Sequence, residues 1–346
     1  MNDKLNSCTP LVSIAMMTYN QKDYVRDALL SILDQSYDNL EIVISDDFST
    51  DGTWNIIEAE VEKYLSGIGT HKNIVLNRTQ RNLGIVKHFE LVVSKCHGEL
   101  VVCQAGDDIS TAQRVKRIVE DWIEDGKQAF AIYHGAWKID KKGRYMGQLG
   151  DFYFTEGTLG AVAAYSPELM AIFGSVSEAG AAEDEVYGNR ALMLDRRLNI
   201  RENLLKYRIN VGVSSGYRDY RRKQIRVLRE YKLAAMRQAL IDLEKARSII
   251  APERYGNLRR LFNDRLVDVM LWIDLWDNPD LKNRFQAYRK IIRNCSAVRF
   301  LIATILLFPR RIGDFALCVL NYLFEIIKML LWSCRRVSCN CNLHII

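Results

Sequence analysis

Histidine is scarce in this chain. His71, His88, His97, His134 and His344 are the only five, and none stands in an HExxH-like spacing, so a histidine-based zinc hydrolase is not expected. The usual backbone cradles for phosphate are missing too. Neither GxGxxG nor GxxxxGKS/T occurs, and the first predicted strand-to-helix turn has no glycine, so a bound phosphate would have to be neutralised by something else. The first apolar run, "LVSIAMM", lacks a basic n-region and a cleavage site and runs straight into "TYNQKDY", so no signal peptide is expected. Without one, the eight cysteines read as thiols in a reducing compartment. No internal repeat or low-complexity linker is visible.

What is present is ordinary globular composition, with 49% apolar and 26% charged residues over 346 positions, enough for a catalytic-sized domain plus an appended region. The net charge of +6 is unevenly spread. Residues 281–346 hold 11 Lys/Arg against 2 Asp/Glu, a local +9 that leaves −3 for residues 1–280. The basic excess belongs to the tail and points to an anionic surface as its partner.

Over the first 135 residues, short β-branched runs alternate with helical spacing. "LVSIAMM" (11–17) precedes a helix pattern at about 22–35, and "EIVIS" (41–45) a second from Thr53. "NIVLN" (73–77) leads to a third at 85–95, and "ELVVCQ" (99–104) to a fourth from Thr111. Runs without polar alternation fit strands buried on both faces, so the pattern predicts an α/β doubly wound, mostly parallel sheet with helices on both faces. A hairpin is expected around Lys141–Gly143, a helix over 182–194 and a last strand at "LLKYRI" (204–209). From about residue 220 the pattern is all helix, with Leu233, Met236, Leu240 and Leu243, then Phe262, Leu266, Val269, Ile273 and Trp276, at helical spacing.

In open parallel sheets, ligands bind beyond the carboxyl ends of the strands. Here those ends carry Thr18, Tyr19 and Asn20; then Asp46, Asp47, Phe48 and Ser49; then Arg81, Asn82, Leu83 and Gly84; and last Gly106, Asp107 and Asp108. Single polar ends are common as caps and turns, but four together suggest one rim. Two adjacent aspartates cannot neutralise a phosphate, whereas Mg²⁺ or Mn²⁺ held by one or two carboxylates can. The structural alternative is that Asp108 caps the next helix while Asp107 faces solvent.

The stretch "PLVSIAMMTYNQKDYVRDALLSILDQSYDNLEIVISDDFSTDGT", continued by "RNLGIVKHFELVVSKCHGELVVCQAGDDIS" and by "AAEDEVYGNRALMLDRRLNIRENLLKYR", resembles family 2 glycosyltransferases with the GT-A fold, over about residues 10–215. The resemblance implies that Thr18, Tyr19, Asn20, Asp46 and Asp47 contact the nucleotide of a sugar donor and that Arg81, Asn82 and Gly84 lie on the segment closing over it. It implies that Asp107 and Asp108 hold the divalent metal, Mn²⁺ or Mg²⁺, although Ala105 replaces the first carboxylate of a full DxD. Glu183 and Asp184 match the family's ED pair, with Asp184 as catalytic base in an inverting transfer; read alone, they are first-turn helix acids. Asn210 stands where the family often has a histidine, and "QIRVLRE" is not the QxxRW of processive members, which argues against a polymerising synthase.

The expected organisation is a GT-A catalytic domain at 1–215, a helical extension at 216–295 and a basic hydrophobic tail at 296–346. Within the tail, residues 315–333 have nearly the length of a membrane span. Arg311, Asp314, Asn321, Glu325 and Lys328 would align on one helical stripe, which favours a helix lying in the membrane interface over a buried helix or a true span. Cys334, Cys339, Cys341 and His344 are cramped for a zinc site and read as free thiols.

The resulting expectation is a membrane-associated enzyme on the cytoplasmic face. It would move a sugar from a UDP- or dTDP-sugar to a glycan, lipid-linked and destined for a cell-surface polysaccharide such as lipopolysaccharide or capsule. The alternative is a catalytically silent nucleotide-sugar-binding or scaffold protein. Nucleic acid is not an expected partner, because the tail interleaves its charges with aliphatic runs rather than exposed aromatics.

Overall fold

The structure, a computed structural model, describes residues 9–67, 72–149, 159–178, 180–209, 211 and 227–291. The segment 315–333, the Cys334/Cys339/Cys341/His344 set and Asn210 lie outside them. Among the described residues no helix is long and apolar enough to cross a membrane.

The β-branched runs form strands as expected. β1 (Val12–Thr18), β2 (Leu40–Asp46) and β4 (Leu100–Ala105) are buried almost throughout, while β3 (Asn73–Arg78) is the half-exposed edge. They pair in parallel in the order β3-β2-β1-β4, each return crossing made by a helix: α1 (Val25–Leu33), α2 (Thr53–Leu65) or α3 (Ile85–Val93). The register sets Thr18 beside Asp46 and Asp46 beside Arg78, with Met17 beside Ala105, so four chain ends arrive level with one another.

The second half of the sheet is mixed. β5 (Ile109–Ser110), β6 (Ala131–Ile139), β7 (Tyr145–Gln148), β8 (Ala163–Tyr165) and β9 (Arg197–Arg208) extend the order as β4-β8-β6-β9-β5, with β7 hairpinned onto β6. β8 runs antiparallel to β4 and β6, and β9 parallel to β6. The sequence predicts only the end of β9. Its first half, "RLNIREN", is mostly polar, and pairing with β6 rather than local hydrophobicity makes it a strand.

One face of the sheet packs on α1, α2 and α4 (Arg114–Glu124), through Leu29, Ile32, Ile57, Ile118 and Trp122. The other face carries α3 and α6 (Glu183–Leu194). There Phe89, Tyr165 and Tyr187 meet with ring centroids 5.0–6.1 Å apart, mostly edge-on, as aromatic quadrupoles prefer. The short α5 (Pro167–Phe173) precedes α6 in the chain, begun by Pro167 at its first position and by Ser166, whose hydroxyl accepts from the Glu168 amide.

The chain forms two compact units. One comprises Met1–Gly216 with Arg237–Arg260, the other Tyr217–Met236 with Leu261–Ile346. The described residues after 226 are helical, as the stripes predict: a π turn at Val227–Lys232, then α7 (Leu233–Ala246), α8 (Pro252–Asp277) and α9 (Leu281–Ile291). Within the second unit, Arg229 pairs with Asp277 at 2.8 Å and Arg284 Nε donates to the Leu275 carbonyl at 3.0 Å.

Candidate active site at the strand ends

The strand order reverses between β1 and β4, and at such a switch point adjacent loops leave in opposite directions and open a crevice. Gly106 stands there because nothing larger fits: a Cβ would lie 2.4 Å from Gln21 Oε1 and 2.7 Å from Thr18 Cγ2. The Gly106 amide also donates to the Met17 carbonyl, which holds the end of β4 against β1.

The residues after β1 and β2 form one hydrogen-bonded cluster. Asp46 is fully buried: Oδ1 accepts from Thr18 Oγ1 at 3.0 Å and from the Ser49 hydroxyl, and Oδ2 from the Ser49 amide at 2.8 Å. Its role is internal, shaping the β2 loop. Asp47 reaches across to the end of β3, accepting from Leu83 N at 2.8 Å, Gly84 N at 3.1 Å and Thr79 Oγ1 at 3.2 Å. Asn82 Oδ1 accepts from the same Gly84 amide, so the segment 82–84 is tied to β2 as a unit. Asn20 donates its amide to Ser49 Oγ and accepts from the Thr50 amide, in a left-handed conformation shared by Phe48 (φ 51° and 63°). Tyr19, Phe48 and Arg81 are exposed at this rim.

The two aspartates after β4 differ. Asp107 is half-buried; burial raises its carboxyl, with Gln21 and Arg208 working the other way. Asp108 is 1% exposed, with Oδ1 accepting from the Arg208 amide at 2.8 Å and Oδ2 buried without a hydrogen-bond partner. Burial, with the Asp107 charge beside it, drives its carboxyl well above the usual range. Asp108 does not cap the next helix, which begins at Arg114 with Gln113 before it.

Arg208 organises this turn and was not singled out by sequence reasoning. It is 4% exposed, donates from Nε to the Asp107 carbonyl at 2.9 Å and from Nη1 to the carbonyls of Asp140 and Lys141 at 3.1 Å each, and lies 4.8 Å over the Tyr24 ring. Its partners are a hundred and about seventy positions away, so no local spacing could reveal it. Arg114 is a second such hub. It is 1% exposed and donates to Gln104 Oε1, Ser110 Oγ, the carbonyls of Cys103 and Ala161, and His134 Nε2. His134 Nδ1 faces the Gly135 carbonyl, which only accepts, so Nδ1 carries the proton and Nε2 receives from Arg114; burial and the Arg114 charge keep the ring neutral.

Glu183 and Asp184 open α6 beside Gly160, in the turn that precedes β8. Glu183 is 7% exposed, its Oε1 so near Gly160 that a Cβ there would approach to 2.7 Å, and its Oε2 has no hydrogen-bond partner. Burial, then the neighbouring Asp184 charge, pushes its carboxyl up to about 8. Asp184 is half-buried and accepts from the Glu185 amide at 2.8 Å. Among the described residues no three His, Cys, Asp or Glu side chains gather as a metal cluster, so a cation at the rim would draw on the Asp107/Asp108 pair and on its ligand.

A mostly parallel sheet, helices on both faces and carboxylates at the switch point make up a GT-A-like architecture. Residues 13–218 match the family described as Glycosyl transferase family 2, and the chain belongs to that family. Among solved structures, S. aureus TarS (residues 1–349) in complex with UDP-GlcNAc is similar in fold, at 18% identity and a TM-score of 0.57, covering 87% of this chain and 82% of that one. The mannosyltransferase PcManGT from Pyrobaculum calidifontis, in complex with GDP-Man and Mn²⁺, gives the same identity and score over 94% and 88%. An uncharacterized glycosyltransferase of Haemophilus influenzae is 31% identical over 110 residues, 32% of each chain. A UDP-Glc:alpha-D-GlcNAc-diphosphoundecaprenol beta-1,3-glucosyltransferase of Escherichia coli, WfaP, is 53% identical over 47 residues, 14% of this chain and 19% of its own. The matched stretch spans about a third of the first of these curated relatives and about a fifth of the second.

Proposed function

We propose that this family 2 protein transfers a sugar from a nucleotide diphosphate donor to a glycan hydroxyl with inversion, Asp184 serving as the base. The observation that carries the reading is the convergence of polar strand ends at the β1/β4 switch point, where Asp47 binds the 82–84 segment and Asp107 and Asp108 lie beyond Gly106. In this reading Thr18, Tyr19, Asn20, Asp46, Asp47, Arg81, Asn82 and Gly84 build the nucleotide side. Asp46 acts there by shaping the loop, since its oxygens are already bonded within the protein. The rim faces the donor, and the half-buried Asp184 accepts the acceptor hydroxyl's proton as that oxygen attacks the anomeric carbon.

The buried, unpartnered Oδ2 of Asp108 and the adjacent Asp107 fit a divalent cation, Mn²⁺ or Mg²⁺, better than any neutral ligand. Asp107 is the ligand nearer solvent, and Asp108, with one oxygen committed to Arg208, has only Oδ2 to give. When bound, such a cation neutralises the departing nucleoside diphosphate. Glu183, held protonated by burial, is a neutral neighbour of Asp184 rather than a second base.

The proposal keeps residues 1–215 as the catalytic domain, 216–295 as a helical extension and 296–346 as a tail resting on the cytoplasmic face of a membrane. The undecaprenol-linked acceptor in the name of WfaP supports a lipid-linked glycan acceptor here. A donor-hydrolysis screen over UDP-, dTDP- and GDP-sugars, with Mn²⁺ or Mg²⁺ against EDTA, tests the activity; turnover insensitive to EDTA would remove the metal from it. Carbonate washing tests the tail, since release into the supernatant would count against insertion. Ala105, where a full DxD has a carboxylate, favours one second reading, a donor-binding scaffold without turnover. Donor binding without hydrolysis or transfer across a broad acceptor panel would establish it.

A further inference from the structure

α6 carries Glu183 and Asp184 in its first turn, yet that turn does little to fix its own direction. The residue before it is Ala182, which offers no capping side chain, and the preceding residues 174–178 belong to no strand or helix. Val176 N donates to Glu90 Oε1 on α3 at 2.6 Å, but residues 177–178 and the middle of α6 are held from α7, beyond the family-matched residues 13–218. Gln238 is fully buried, and its Oε1 accepts three bonds: from Ser177 N at 2.9 Å, Ser177 Oγ at 3.0 Å and Glu178 N at 2.9 Å. Its Nε2 donates to Asp242 Oδ1 at 2.9 Å. Asp242, 1% exposed, receives Arg190 Nε on Oδ2 at 2.7 Å and Arg190 Nη2 on Oδ1 at 3.3 Å.

Arg190 lies in the middle of α6, fully buried, with its guanidinium over the rings of Phe173 and Tyr187 at 5.3 and 4.9 Å. Lys245 stands 3.4 Å from Asp242 and donates to the Phe173 carbonyl at the end of α5. Arg254, on α8, donates to the carbonyls of Leu192 and Met193, capping the far end of α6. One polar chain thus joins the end of α5, the 177–178 turn and the body of α6.

Stability alone does not call for this arrangement. A buried ion pair gains little over well-packed apolar residues of the same volume, because both charges must leave water. What apolar packing cannot supply is direction: three donors on one amide oxygen fix two backbone amides in orientation as well as position. We infer that Gln238 and Asp242 are positioning residues, which orient the 174–178 segment and the first turn of α6 so that Asp184 meets the acceptor, and that residues 237–254 are a working part of the transferase. This rests on the reading of Asp184 as base.

The test uses the full chain, with Gln238→Met, which keeps volume and removes all four bonds, and Lys245→Met as a milder second variant at a partly exposed position. Two readouts are taken. Hydrogen exchange over 174–186 is expected to quicken about ten-fold in Gln238→Met while β1 and β2 stay protected. Transfer kcat, with the donor found active in the hydrolysis screen, is expected to fall about ten-fold or more with donor KM within two-fold. Lys245→Met is expected to move both in the same direction by less. Unchanged exchange over 174–186 overturns the inference, and so does quicker exchange with unchanged kcat. Equal losses in kcat and donor affinity overturn it as well, because a merely structural role would produce them. If Asp184→Asn retains transfer while Gln238→Met loses it along with local protection, the role of Asp184 falls and the brace stands. If no donor in the screen turns over, exchange decides alone: lost protection supports the brace and retained protection overturns it.

Discussion

The two halves of the sheet hold their functional residues by different means. In the parallel half, Asp46 and Asp47 are fixed by partners on the next loop or the neighbouring strand end, and most of those bonds run within one rim of aligned termini. In the mixed half, each residue of interest is fixed from a remote part of the chain: Asp108 by the Arg208 backbone amide, the end of β4 by the Arg114 side chain, and α6 by the side chains of Asp242 and Arg254. The difference teaches that a repeating α/β half can build a polar rim from local rules, whereas the mixed half depends on single long-range clamps. Point substitutions should therefore affect the two halves differently.

The largest effect is expected at Asp184, the proposed base. Asp184→Asn should lower transfer by about 1,000-fold, within the range for losing a general base, with donor binding retained. Comparable rates in a transfer assay would place the base elsewhere. Next comes the clamp: Arg208→Met removes charge-assisted bonds to three carbonyls in a buried setting and should cost about 3 kcal/mol of stability, measured by urea denaturation. A cost no larger than that of a surface change would break the contrast between the halves.

Asp107→Asn should lower metal-dependent turnover about 100-fold and raise the Mn²⁺ needed for half-activity, while leaving urea stability close to the parent. Asp108→Ala separates the two aspartates: it should lose stability as well as turnover, because it removes the acceptor of the Arg208 amide along with the free oxygen.

Glu183 gives a pH signature. Its folded carboxyl titrates near 8, above its unfolded value, so its contribution to stability is fully present at acid pH and is lost as pH rises through 8. Glu183→Gln should remove that slope, so that the variant gains stability on the parent as pH rises from about 4 to about 8.5, by several kcal/mol at most, read as thermal unfolding across that window. The smallest effect belongs to an exposed pair. Lys127→Met, which breaks the 2.7 Å contact with Glu99, should change stability by less than about 0.5 kcal/mol.

Several features were legible in the sequence because they depend on neighbours along the chain. Apolar runs without alternation marked β1, β2 and β4 to within a residue or two, and Thr53 and Ile85 were read correctly as helix starts. The hairpin at 139–145 and the helix at 183–194 followed from turn residues and spacing. The polar residues beyond each strand could be named, since a strand's end and its loop are contiguous. The first half of β9, the strands β5 and β8, and the hubs at Arg208, Arg114 and Gln238 were not legible. A polar strand is defined by the partner it pairs with, and a buried arginine or glutamine by the atoms that satisfy it.

The sequence by itself determined a doubly wound α/β pattern with four polar strand ends and a helical continuation, because hydrophobic period and turn chemistry act over a few residues. Only the tertiary structure decided which of those polar groups are spent inside the protein. Asp46 is consumed by Thr18 and its own loop and Asp108 is half-committed to the Arg208 amide, while Asp107 and Asp184 stay half-buried. The reason is that burial and hydrogen-bond partnership arise from segments as much as a hundred positions apart, and no periodicity encodes which oxygen will find its partner there.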